Sequence, residues 1–432
     1  MKIVLLKCYL IEIVFIALNL LHPPLILYGQ LIINSELRPR IEHRDGYGSL
    51  PVDKSDPACF VSQRSRLNIL YSDSLYNFTF SVQDVRVWGD ATIYKSTGVH
   101  GSEASLDLYQ ANFEWFFHSQ ASLKIGRQTF AIDDERLISP RNWNQNGLSY
   151  DALLLRYGYN KWNINLGLSL NNDKENKYGN LFTPDKMKTL NFIHFQRPLE
   201  SSGRISFLSI ASGFTKSDTS EVIYMKGTIG TFINFKLNNI EYSGSAYYQF
   251  GKNKSGVPVR AYFLNSNLTI KSNALSVMAG IDYLSGNPKQ ANPDKDRLFD
   301  LLYGTRHRYF GSMDYFSDPI KSTHSRGLAD ILIKGNKKIF KDFAVQADLH
   351  FFYLQDNKPV LSDYLGKELD LSFSYQCAPV MKLIGGISVF NSSKYFCAMQ
   401  SGNVSDRVPV WAWLTIDFKL NLYNQEINSL IR

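Results

Sequence analysis

The 432-residue chain predicts an all-β fold: a transmembrane antiparallel β-barrel of about 18 strands, with short periplasmic turns and long extracellular loops. Three observations carry this prediction. Apolar and polar residues alternate with period two over segments of about 10 to 15 residues, against roughly five or six in a strand of a soluble protein and roughly 9–11 in a tilted membrane-crossing strand. Connections between these segments are short at one end and long at the other, as in an outer-membrane barrel. Charged residues make up only 20% of the chain while Tyr (25) and Phe (28) are abundant, and no apolar run of about 18 residues follows the first thirty positions, which excludes a helical membrane bundle. Few prolines and the absence of low-complexity tracts exclude disorder and fibrous repeats.

Residues 1–29 read as a secretory signal. Lys2 and Lys7 give the positive start, Cys8 to Leu21 is almost wholly apolar, and Gly29 before Gln30 marks the cleavage point. The competing reading, an uncleaved anchor helix, is opposed by Glu12 and by His22-Pro23-Pro24. Residues 30–432 then form a single barrel domain. Beyond the leader only Cys59, Cys377 and Cys397 remain, an odd number for a disulfide framework and at no zinc spacing, with one Cys377–Cys397 bridge left open.

Strand-like segments lie at 31–41, 61–71, 75–88, 103–117, 121–131, 150–158, 161–171, 188–197 and 203–214. The second half adds 222–235, 239–251, 259–271, 274–284, 327–334, 342–354, 367–377, 380–392 and 408–420. In the seventh, Trp162, Ile164, Leu166, Leu168 and Leu170 face away from Asn163, Asn165, Gly167 and Ser169. The third breaks phase: Tyr76, Phe78, Phe80 and Val82 give way to Val85 and Val87, the mark of a bulge or a register slip. In the last, Trp411 and Trp413 oppose Leu414, Ile416 and Phe418. Tight links such as Ser72-Asp73-Ser74, His118-Ser119-Gln120 and Tyr159-Asn160 follow even-numbered segments, with slightly longer ones at 198–202 and 335–341. The long connections 42–60, 89–102, 132–149, 172–187, 285–326 and 393–407 follow odd ones. Lipid cannot hydrogen-bond a backbone, so only a closed sheet can present such strands to a membrane. Eighteen strands enclose more space than side chains alone fill, so water or folded-in loops must occupy the lumen.

Arginine is concentrated early. Residues 30–160 hold ten Arg and three Lys, whereas the chain beyond holds nine Arg and twenty-three Lys. Glu36, Arg38 and Arg40 share the polar face of the first segment, Arg64 and Arg66 that of the second; Asp84 and Arg86 share a face of the third, and Arg156 opposes Leu155 and Tyr157. The planar guanidinium matches a carboxylate in a fork, so such stacked arginines could guide acidic sugars. The other reading pairs them with Asp and Glu across the lumen. The long 285–326 connection carries Arg306 and Arg308 and is read either as a lumenal lid with both in the anion path or as an extracellular cap.

The stretch Gly126-Arg-Gln-Thr-Phe-Ala-Ile-Asp-Asp-Glu-Arg-Leu-Ile-Ser-Pro-Arg-Asn-Trp, continuing to Tyr150-Asp151, resembles the alginate export porin family of bacterial outer membranes. Arg64-Ser-Arg-Leu, Gln83-Asp-Val-Arg-Val-Trp-Gly-Asp, Leu302-Tyr-Gly-Thr-Arg-His-Arg and Leu365-Gly-Lys-Glu-Leu-Asp-Leu fit the same group. The resemblance implies an eighteen-stranded outer-membrane barrel with an electropositive pore that exports a polyuronate. It makes Arg64, Arg66, Arg86, Arg127, Arg136, Arg141 and Arg156 pore or loop-anchoring arginines, with Asp84, Asp133 and Asp134 as partners. Plain alternation from Leu123 and Ile125 turns Arg127 outward unless Gly126 marks a bulge, and the chain ends Ser429-Leu-Ile-Arg rather than on an aromatic.

No Gly-x-Ser-x-Gly elbow, metal-ligand histidine spacing or phosphate-binding glycine loop is present, so no catalytic residue, metal or cofactor is expected. The acidic run Asp133-Asp134-Glu135 reads as a solvated turn rather than a calcium site. Basic residues that track one strand face do not make a nucleic-acid stripe. The expected function is passive, electrostatically guided passage of anionic polysaccharides or small acidic solutes. The expected surroundings are the outer-membrane bilayer and the barrel-assembly machinery. A plugged barrel with an enzymatic or structural role at the cell surface is the alternative.

Overall fold

A computed structural model describes residues 26–89, 106–200, 202–289, 294–355, 363–400 and 404–430. Eighteen antiparallel strands form one sheet in which each strand pairs with its sequence neighbours, and β1 (Ile26–Asp45) closes against β18 (Val410–Leu430). In chain order the others are β2 (Ala58–Ser72), β3 (Tyr76–Val87), β4 (Leu106–His118), β5 (Ala121–Gln128), β6 (Tyr150–Tyr159), β7 (Trp162–Leu170), β8 (Thr189–Leu199) and β9 (Gly203–Thr215). They continue with β10 (Ile223–Leu237), β11 (Ile240–Gly251), β12 (Ala261–Lys271), β13 (Leu275–Leu284), β14 (Leu328–Phe340), β15 (Phe343–Tyr353), β16 (Tyr364–Ala378) and β17 (Met381–Ser392). Two short helices, α1 (Pro319–Ser322) and α2 (Lys394–Met399), lie in connections. Every segment expected from alternation is a strand.

Several boundaries and two further expectations differ. β14 runs to Phe340, so the link expected at 335–341 shrinks to Lys341 and Asp342. β18 continues past Leu420 to Leu430, paired with β1, which starts at Ile26, except at a bulge where Leu422 has no partner between Ile33 and Asn34. The phase break read in β3 is absent: β3 pairs with β2 without a slip, so Phe78, Phe80, Val82, Asp84 and Arg86 share one face, and the bulge lies on β4, where Tyr109 is the extra residue opposite Ser81 and Val82. Cys59, Cys377 and Cys397 are all free thiols, so no Cys377–Cys397 bridge forms.

Leu153, Leu155, Leu168, Leu264, Leu268, Val277, Leu369 and Leu371 are exposed on the outer wall, as a lipid-facing surface requires. The buried apolar cluster lies inside the barrel and contains Phe130, Ile138, Phe263, Phe299, Met313, Phe316, Phe352, Phe390 and Trp411. Wall residues and residues of the loops 129–149 and 285–326 share this core. Folded chain therefore occupies part of the lumen, and the stretch Phe299–Phe316 of the 285–326 connection packs inside the barrel rather than as an external cap.

Candidate functional site in the lumen

The two folded-in loops are zipped together by main-chain bonds. Tyr303 N–H donates to Leu137 O at 2.9 Å, Thr305 N–H to Glu135 O at 2.9 Å and Ser139 N–H to Tyr303 O at 3.2 Å. Gly304 sits where the chains cross, and a Cβ there would lie 1.8 Å from the Arg136 carbonyl oxygen. Arg141 ties the same crossing from its side chain, donating to Gly304 O at 3.1 Å and Leu302 O at 3.2 Å. Burial, reinforced by nearby Arg306, lowers the Arg141 pKa from its ordinary value.

The loops are also fastened to opposite walls. Asp300 accepts the Lys226 ammonium of β10, while its main chain exchanges two bonds with Gln249 of β11, both at 2.8 Å. Burial alone would raise the Asp300 pKa, but Lys226, the Leu302 N–H and Arg306 together outweigh it and the carboxyl is held below its usual value. On β16, Glu368 Oε1 accepts Met313 N–H at 2.7 Å and Asp370 Oδ2 accepts Ser312 N–H at 3.3 Å. Arg306 donates to Ser317 O at 2.9 Å and Leu302 O at 3.3 Å, holding the loop to itself.

Inward-facing arginines of β1 and β2 hold the 129–149 loop. Arg38 donates to Gln145 Oε1 at 3.0 Å and to the carbonyls of Asn142, Trp143 and Asn144 at 2.8, 3.2 and 3.1 Å. Arg64 reaches Asn142 Oδ1 at 3.0 Å, the carbonyls of Asn144 and Gln145, and the Glu36 carboxylate. Arg40 bonds Glu42 at 2.9 Å and Trp143 O at 3.2 Å, with its guanidinium 4.5 Å from the Trp143 ring centre. His307 stacks on the same indole at 4.2 Å, and Trp411 and Trp413 meet its edge. Arg66 forks onto Gln83 at 2.6 and 3.2 Å and lies 3.5 Å over Tyr109. The Arg38, Arg40 and Arg64 side chains are only 11, 9 and 0% exposed. They brace the constricting loop rather than form an open arginine surface.

Other expected site residues fall elsewhere. Arg127 pairs with Asp151 at 3.0 Å, in register with the exposed outward residues Ile125 and Leu153, so it faces out of the barrel. Gly126 takes a positive φ of 115° without slipping the β5–β6 ladder, so it does not turn Arg127 inward. Asp84 and Arg86 bond each other, and their ladder partners Ser65 and Gln63 alternate with buried Arg64 and Arg66. They too face outward, because β3 keeps one phase against β2 and the bulge belongs to β4. Arg156 does face the lumen, 2.7 Å from Glu114 and 45% exposed. Arg308 is exposed on the 285–326 loop, 5.6 Å from the Tyr309 ring centre.

The acidic turn is not solvated. Asp133 accepts from Ser206 at 2.6 Å and contacts His194 Nε2 at 3.0 Å, with its side chain 2% exposed. Asp134 binds Arg136 at 2.9 Å, and Tyr309 donates to the Asp134 carbonyl at 2.5 Å. Burial raises the Asp134 pKa against the opposing pull of Arg136. Among the described residues no group of His, Cys, Asp and Glu could hold a metal ion. Alternation did not reveal Asp282, Glu368 and Asp370 as partners of the loops, although each lies on the polar face of its strand; Asp330 and Asp348 on the same wall pair instead with His350 and Lys334.

Residues 56–170 match a family model described as alginate export. No curated protein matches the chain. Acinetobacter baumannii OccAB1 superposes with a TM-score of 0.62 at 11% identity, over 92% of this chain and 97% of that one. Pseudomonas aeruginosa OpdL gives 0.60 at 12%, over 91% and 99%. Pseudomonas aeruginosa OpdK, solved with vanillate, gives 0.58 at 8%, over 91% and 98%. The chain thus has the eighteen-stranded fold of outer-membrane porins, and from β2 to β7 its sequence matches the alginate export family.

Proposed function

We propose that the protein is an outer-membrane channel for anionic saccharides of the polyuronate type, or for small acidic solutes, crossed by passive diffusion. The observation that carries this reading is the charge of the wall behind the constriction. The inner faces of β1 and β2 hold Arg38, Arg40, Arg44, Arg64 and Arg66 against Glu36 and Glu42. These guanidiniums are occupied as braces, yet their charge is weakly screened inside the protein and projects into the adjoining water. Exposed Arg156 and Arg308 supply the cations that a passing anion would meet directly. Contacts that are few and hydrated let an anion enter without trapping it. A leader shorter than the expected 1–29, ending before β1 begins at Ile26, and the barrel-assembly machinery would deliver such a protein to the outer membrane.

Planar-bilayer recording of the purified protein tests this. Anion selectivity with block by a polyuronate is the expected result; cation selectivity without block would overturn it. The apolar core inside the lumen favours a second reading, a plugged barrel with a surface role. Steady conductance would exclude that one.

A further inference from the structure

Trp413 stands half-buried on the inner face of β18. Its ladder partner on β17 is Gly386, and the same height continues along the inner wall through Ser372, Gln346, Asn336 and Ser276. This row lies one step toward the periplasm from Asp370, which holds the Ser312 N–H of the 285–326 loop. The absent side chain at Gly386 makes room for the indole: a Cβ there would lie 3.1 Å from Trp413 Nε1. Trp143 crosses Trp413 at 80° and Trp411 leans on it with 5.7 Å between ring centres, so part of the indole is covered and part is open. The Trp411 N–H is bonded to Glu42, whereas the Trp413 Nε1–H has no hydrogen-bond partner among the described residues and is not sealed from solvent. Ser276, Asn336 and Ser372 likewise make no side-chain hydrogen bond among the described residues and are partly or fully exposed. Gln346 donates to Asp348 at 2.9 Å and keeps its own oxygen free. From Trp413 to Ser276 the row carries no charge.

A pyranose ring has two kinds of surface, a flat apolar face of C–H groups and a rim of hydroxyls. The open part of an indole matches the first, and uncharged amides and hydroxyls beside it match the second. A carboxylate finds no cation in this row, so charge is not what the row selects. We propose that Trp413, with Ser372, Gln346 and Asn336, forms a ring-stacking step for the hexopyranose units of an oligosaccharide, on the periplasmic side of the constriction. The 129–149 loop is pinned to β1 and β2 by Arg38 and Arg64, which leaves the inner wall of β13–β17 as the side along which a chain of sugars runs. Sorting by charge and sorting by ring are then done by different walls. One stacked ring at a time binds weakly, as conduction requires. The inference rests on the channel reading for access to the lumen, but not on the sign of the charge that passes.

The test therefore uses a neutral probe, β-1,4-linked mannohexaose, with succinate as the acyclic acidic control, in single-channel recordings from the purified protein. Transient block by mannohexaose is expected. Trp413→Leu should shorten its dwell time about tenfold relative to succinate permeation, and Trp413→Phe, which keeps a flat ring, by less than about threefold. Absence of block in the wild type, a dwell time that Trp413→Leu leaves unchanged, or equal losses in the Leu and Phe variants would overturn the proposal; the last would make Trp413 a packing residue for Trp143. Should the barrel not conduct, or Trp413→Leu fail to assemble, Trp413→5-fluorotryptophan decides: a fluorine shift on adding mannohexaose supports the step, and no shift rejects it. Anion selectivity without mannohexaose binding rejects this inference alone, and mannohexaose binding in a cation-selective barrel rejects the anionic channel alone.

Discussion

Arg136 of the 129–149 loop places its Nη1 2.7 Å from Asp282 Oδ2 on the β13 wall, with the two side chains 3% and 1% exposed. The same guanidinium binds Asp134 at 2.9 Å and lies 3.7 Å over the Tyr309 ring. One side chain thus joins two loops to the barrel. Burial would depress its pKa, but Asp282 and Asp134 outweigh that and raise it, so Arg136 stays charged.

Removing one member of a buried pair leaves an unpaired charge, at a cost of about 3–5 kcal/mol. Asp282→Ala is expected to destabilise the folded protein by about that amount in urea titrations of liposome-embedded protein. Arg136→Lys, which keeps a cation, should lose less. Equal stability of Asp282→Ala and wild type would show that the pair does not hold the loops.

Arg64 separates bracing from direct solute contact. Each hydrogen bond to a charged group contributes about 1.5–3 kcal/mol, and Arg64 supports the carbonyls of Asn144 and Gln145. Arg64→Ala is expected to release the 129–149 loop, with higher conductance and new protease cleavage near Asn144. A drop in anion selectivity with no change in conductance or cleavage would instead place Arg64 in contact with solute.

Arg156 and Arg127 make an opposed pair of controls. Arg156→Gln, on the lumenal wall, is expected to lower the anion-to-cation permeability ratio severalfold without affecting assembly. Arg127→Gln, on the outer wall, should leave that ratio unchanged. Reversal potentials under a salt gradient distinguish the two.

The Asp300 contact fixes a pH window. Its carboxyl pKa is depressed below the ordinary 3.8 because Lys226, the Leu302 N–H and Arg306 together outweigh burial. A depressed carboxyl stabilises the folded state above its unfolded pKa and loses that contribution as pH falls through the folded value. Conductance and protease resistance are expected to hold from pH 8 to about 5 and to change only below about 4. Asp300→Asn should remove this acid response, measured by pH titration of single-channel current.

Gly304 tests the crossing of the loops. An alanine methyl at that position meets the Arg136 carbonyl oxygen at 1.8 Å. Gly304→Ala is expected to separate the strands of chain that Tyr303 and Leu137 join, seen as faster exchange of the Tyr303 and Thr305 amides. Unaltered exchange would show that the loops pack with slack there.

Period-two alternation was sufficient to find every strand, because each wall residue chooses between lipid and lumen. It misplaced Asp84 and Arg86, since two charged residues on the outward face of β3 and two valines, Val85 and Val87, on its inward face mimic a break of phase that the unbroken β2–β3 ladder does not have. The outward Arg127 followed plain alternation, and the family pattern argued against it. The loop contacts were not legible at all. Arg136 meets Asp282 across 146 positions, and no local period records such a meeting. The indoles of Trp411 and Trp413 gave a partial signal: two large aromatics on the inward face of a strand imply folded chain inside to cover them.

The seam between β1 and β18 is fastened from within. Trp411 on β18 donates its indole N–H to Glu42 on β1 at 3.1 Å, and Glu42 also holds Arg40 and Arg44. Trp143 and His307, borne by the two folded-in loops, pack against the same tryptophan. The chain's first and last strands therefore reach their final environment only when both loops are already inside. Closure of the wall and filling of the lumen are thereby one event energetically: the seam's inner face is fully covered only with both loops in place.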